Sequence, residues 1–90
     1  MVENGNGEYV DRVKAIVGSE LTDIEKLREG FGMDTGAIVE YALSESELAK
    51  AAHDRDALIK VQIKMETMKA ARRIFDTWYT LIAGRKAWDE

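Results

Sequence analysis

The apolar positions in the C-terminal half of the chain fall into two stripes. Leu58, Val61, Met65, Met68, Arg72, Phe75, Tyr79 and Ile82 follow one another in alternating steps of three and four, a heptad seam with an arginine in it. Ile59, Ile63, Ala70, Ile74 and Leu81 form a second streak roughly opposite. Both periods are helical, and a helix on the surface of a bundle needs only one such stripe. Two stripes predict a helix covered on two sides.

Upstream the pattern is more broken. Residues 1–7, with Asn4, Gly5, Asn6 and Gly7, read as a flexible leader. Val10, Val13, Ile16 and Val17 predict a short helix stopped at Gly18. Thr22 with Glu25 makes a capping box that opens a second helix, its apolar face formed by Ile24, Leu27 and Phe31 and its end at Gly30 or Gly32. A third, capped by Asp34 or Thr35, would bury Ile38, Val39, Ala42 and Leu43, with Gly36 costing about 1 kcal/mol relative to alanine. Ser44 and Glu47 repeat the capping-box signature, and neither Pro nor Gly interrupts the chain from Glu45 until Gly84. One long helix over 44–83 is therefore expected, weakest at the polar run His53-Asp54-Arg55-Asp56. Gly84 ends it, Arg85 and Lys86 complement its dipole, and Trp88 folds back or docks elsewhere.

Nothing alternates with period two for long enough to be a strand, so the fold class is all-α. The expected architecture is one small domain: leader 1–7, two or three short helices within 8–43, a long association helix 44–83 and a tail 84–90. The short helices carry enough apolar residues for one face of the long one. The seam from Leu58 to Ile82 then stays wet in a monomer, more apolar surface than soluble monomers usually expose. This predicts a protein interface at Leu58, Val61, Met65, Met68, Arg72, Phe75, Tyr79 and Ile82, filled by a second copy or another protein. Arg72 either lays its stem along the seam with its guanidinium in solvent, or pairs with an acid such as Glu66 or Asp76 of a neighbouring chain and fixes register. Met65 and Met68 read as adaptable core, Trp78 and Tyr79 as core or interface anchors.

Composition narrows the setting. The 90 residues contain no Cys and no Pro, so there is no disulfide framework and no thiolate chemistry. "MVENGNGEYV" has neither a basic n-region nor an apolar h-region, and no apolar run approaches a membrane span, so a cytoplasmic setting without membrane contact is expected. The net charge of -4 conceals an asymmetry. Residues 1–56 hold thirteen acids and six bases, and residues 57–90 hold four acids and seven bases, giving -7 and +3. Such polarity serves nucleic acid or lets one part of a molecule meet another. No phosphate loop, nucleophile elbow, zinc-type spacing or calcium loop is present. His53 is the only histidine, and the Glu-x-x-His motif of a helical di-iron site is missing. No enzyme activity, catalytic residue, cofactor or metal site is expected.

Two stretches carry family resemblances. "DIEKLREGFGMDTGAIVEYA" has helix-turn-helix proportions, with Leu27 and Phe31 on one helix, Gly32 and Met33 at the turn, and Ile38 and Tyr41 inside the next. It resembles the DNA-binding half of small phage packaging subunits or compact regulators. That implies an oligomeric nucleic-acid-binding protein. The second helix carries Asp34, Glu40 and Glu45 and no base, so phosphate contact would fall on Lys60, Lys64 and Arg73. "ELAKAAHDRDALIKVQIKM" resembles the middle of type III secretion needle and inner-rod subunits through Leu48-Ala49-Lys50, Leu58, Gln62 and Met65, with Arg72 further on. Where those subunits carry a Pro-bounded turn, this chain has Ala52-His53-Asp54-Arg55. The resemblance implies a helical subunit that polymerises. The principal expectation is a non-catalytic structural or adaptor protein that self-associates or binds a partner protein, with the nucleic-acid and polymerising subunits as alternatives.

Overall fold

A computed structural model describes residues 2–88, with side chains from Gly7 onward. It is all-α: helices α1 (Val2–Val17), α2 (Asp23–Ala51) and α3 (Arg55–Ala83), with no strand among the described residues. The chain divides into two compact units, Met1–Phe31 and Gly32–Glu90.

In the first unit α1 begins at Val2, so helix takes in residues expected to form a leader. Its last turn is closed by Ser19, whose amide and hydroxyl both donate to Ile16 O, at 3.2 and 2.7 Å. Lys26 Nζ donates to Val17 O at 2.7 Å, putting a cation on carbonyls that a helix C-terminus leaves without partners. Thr22 Oγ1 accepts from Glu25 N at 3.4 Å, at the capping-box spacing. Val13, Ile16 and Ile24 are half-buried, whereas Val10, Val17 and Leu27 are exposed.

The second unit is an antiparallel helical hairpin with a folded-back tail. Three sequence expectations change here. α2 runs unbroken through Gly30, Gly32, Met33 and Gly36, so the turn of a helix-turn-helix is not formed, and the two helices expected there are one. Ser44 and Glu47 lie inside that helix and start nothing. The long helix expected over 44–83 is divided, because residues 52–54 turn the chain back.

Two abutting caps make this turn. His53 N donates to Lys50 O at 3.1 Å and Asp54 N to Ala49 O at 2.9 Å, the nested pair of a Schellman motif. The motif requires a left-handed residue at the helix exit, and His53 supplies it with φ 54°. Asp54 then caps α3, its Oδ1 accepting from Ala57 N at 3.0 Å. The turn falls at Ala52-His53-Asp54-Arg55, within the polar run that the sequence marks as the weak point.

Apolar-residue counting alone does not reveal why α2 survives its glycines. Gly32, Thr35, Val39, Ala42, Ser46 and Ala49 also alternate in steps of three and four. Of these, Thr35, Ala42, Ser46 and Ala49 are buried. A seam of small side chains lets a second helix approach closely, and the large heptad seam of α3 fills the space. Thr35 meets Arg72 directly, and Glu45 pairs with Lys64 at the flank. In that antiparallel register Val39 is level with Met68, Ala42 with Met65, Ser46 with Val61, and Ala49 with Leu58. Packing outweighs the loss of about 1 kcal/mol that each helical glycine brings.

At the open end of the hairpin the tail returns over α3. Gly84 exits with φ 77°, its amide donating to Thr80 O at 2.9 Å. Ala87 N then donates to Asp76 Oδ1 at 2.6 Å, which sets Trp88 against Phe75 with ring centroids 5.3 Å apart. Phe75 also stacks on Tyr79 at 6.1 Å, and Tyr79, only 2 % exposed, accepts a bond from Arg85 Nη2 at 2.9 Å. This aromatic stack closes the core.

Candidate association surface

The two stripes of α3 have different fates. Val61 and Tyr79 of the heptad seam are buried, and Leu58, Met65, Met68, Arg72 and Phe75 are half-buried. The chain itself covers them. Ile82, 69 % exposed, is the one seam residue left outside. The expectation that the seam awaits a partner is therefore revised for the other seven residues. α2 offers a long complementary seam that the sequence had seemed to break into short helices.

Arg72 is turned inward. Its Nη1 donates to Thr35 Oγ1 at 2.7 Å and to Gly32 O at 3.0 Å, and its guanidinium lies 4.3 Å from the Trp88 ring centroid. Arg72 thus bridges α2 and α3 within one chain. Gly32 belongs to the same arrangement: a Cβ there would stand 2.5 Å from Trp88 Nε1.

The second streak stays in solvent. Ile59 is 48 % exposed, Ile63 61 %, Ile74 62 % and Leu81 72 %. Ala70, between them, is half-buried. Trp78, at 63 %, flanks the streak on the side that leads to Ile82. From Ile59 to Leu81 the stripe runs about 33 Å at 1.5 Å per residue. It is held on a rigid support, since α3 is pinned by Asp54 at one end and by the aromatic stack at the other.

Lys60 and Lys64, four residues apart, share one side of α3, while Lys69, Arg72 and Arg73 line a groove elsewhere. Lys64 is engaged with Glu45 at 2.8 Å and lies 5.7 Å from the Tyr41 ring centroid. Lys60 and Arg73 are exposed. Nine residues separate Lys64 from Arg73, which puts them on opposite sides of the helix. A groove of about 600 Å³ lined by Gly36, Val39, Glu40, Lys69, Arg72 and Arg73 mixes one acid with three bases, and Arg72 already binds Gly32 and Thr35 within the hairpin. No group of three or more His, Cys, Asp or Glu poised for a metal occurs among the described residues. His53 shapes the turn. Among the described residues no helix is long and apolar enough to cross a membrane.

Comparison with protein-family models, with curated proteins and with solved structures finds no match.

Proposed function

We propose that this chain is a non-catalytic structural or adaptor subunit that associates with further copies of itself through the outer stripe of α3. One observation carries the reading: α3 has two apolar faces, α2 occupies one, and the large side chains of the other are 48–72 % exposed over its length. Large apolar side chains aligned on one exposed helix face mark an interaction site, whereas scattered ones need no explanation. The strip lies on a helix clamped at both ends, so association loses little conformational entropy.

Sedimentation velocity over a wide concentration range tests this. The expected result is a sedimentation coefficient that rises with concentration and a loss of that rise in Ile74→Asp. A coefficient that stays at the monomer value up to hundreds of micromolar would overturn self-association.

A further inference from the structure

The outer stripe has a symmetry of its own. Completed through its polar members it reads Ile59, Ile63, Glu66, Ala70, Ile74, Thr77, Leu81, in steps of four, three, four, four, three, four. The order is the same from either end, with Ala70 at the centre. Its repeat is eleven residues, from Ile59 to Ala70 to Leu81 and from Ile63 to Ile74. An eleven-residue repeat gives 3.67 residues per turn, slightly more than the 3.6 of an undistorted helix, so the stripe drifts slowly in the sense opposite to a heptad seam. The inner heptad seam, at 3.5 residues per turn, drifts the other way and suits a left-handed supercoiled hairpin.

We infer that the occupant of this stripe is a second copy of the chain, with α3 packed antiparallel on α3 about a two-fold axis at Ala70. This rests on the self-association proposed above and specifies its geometry. In a two-fold interface residue i meets j and j meets i, which a stripe of palindromic spacing satisfies along its whole length. Ile59 lies level with Leu81 of the second copy, Ile63 with its Thr77, and Glu66 with its Ile74. The smallest side chain stands on the axis, where the helices come closest.

Charge supports the same register. Glu66 and Arg73 are both exposed, and neither makes an ion pair among the described residues. They sit on the same edge of the stripe. Antiparallel two-fold pairing keeps like edges together and sets Glu66 within one residue of the level of Arg73 of the second copy, twice per dimer. A parallel two-fold would place each residue and its copy on opposite edges, and Glu66 would meet no Arg73.

The absence of cysteine makes the geometry directly testable. Ala70→Cys should form a disulfide-linked dimer under mild oxidation. Ile63→Cys should link poorly with itself but efficiently when mixed with Thr77→Cys. Glu66→Arg should raise the dimer dissociation constant at least tenfold, and Glu66→Arg combined with Arg73→Glu should restore it. A protein that is multimeric by sedimentation but links Ile63→Cys to itself as readily as Ala70→Cys, or fails to link at 70, would overturn this geometry and leave self-association standing. A monomer at every concentration would overturn both. Because the charge exchange introduces no cysteine, it reads the register even where Ala70→Cys disturbs packing.

Discussion

Arg72 and Thr35 meet across the hairpin with Nη1 2.7 Å from Oγ1, thirty-seven residues apart in sequence. The same nitrogen reaches Gly32 O, and Trp88 lies against the guanidinium. One side chain thus joins α2, α3 and the tail, and fixes which residue of α2 faces which residue of α3. A charged group in an otherwise apolar seam weakens packing slightly and excludes a slipped register, in which the guanidinium would lose its acceptors.

Arg72→Ala should therefore destabilise the fold by about 2–3 kcal/mol, from lost charge-assisted hydrogen bonds and the cation–π contact. Arg72→Lys should recover less than half of that, because an ammonium lacks the planar fork and the stacking face. Urea unfolding followed by circular dichroism gives both values. A change of less than about 0.5 kcal/mol for Arg72→Ala, the range of ordinary surface substitutions, would remove its role as a pin.

Two glycines of α2 should respond with opposite signs. Nothing lies within 4 Å of a Cβ built on Gly30, so Gly30→Ala gains helix propensity and stabilises by about 0.5–1 kcal/mol. At Gly32 the same methyl would collide with the Trp88 indole. Gly32→Ala should destabilise despite the better propensity and should shift the Trp fluorescence as Trp88 leaves its stack. Thermal melts of the two variants decide the matter.

The turn offers another pair. His53 holds a left-handed conformation that costs a non-glycine residue on the order of 1 kcal/mol, so His53→Gly should raise stability by up to that amount. Asp54→Ala removes the cap of α3 and should lower stability by about 1 kcal/mol. An unchanged melting temperature in Asp54→Ala would mean that the turn is held by something other than this cap.

The sequence made one side of the molecule legible and concealed the other. Both stripes of α3, its stop at Gly84 and the weak point at His53–Asp56 follow from apolar period and known helix signals. The seam of α2 does not, because Gly32, Thr35, Ser46 and two alanines register as neutral or helix-breaking when hydrophobicity alone is counted. With that seam unseen, α2 fell into fragments, and the heptad seam of α3 seemed to lack a cover. Small residues recurring in steps of three and four were the available signal. Of the basic residues, Lys60 and Lys64 share one side of α3 and Arg73 stands on the other, a separation that net charge does not show. That Arg72 stands in the seam was readable, and its partners were not, since a backbone carbonyl and a hydroxyl have no charge signature.

Separation of the two faces of α3 is the central claim, and static light scattering on three proteins at one concentration tests it most directly. The wild type should have a mass above the monomer. Ile74→Asp should be monomeric with its helical circular dichroism retained, since Ile74 is 62 % exposed and its replacement leaves the hairpin core intact. Val61→Asp should lose helical structure, because a carboxylate is forced into a buried position in the hairpin core. A monomeric wild type, or an Ile74→Asp variant with the wild-type mass, would contradict the account.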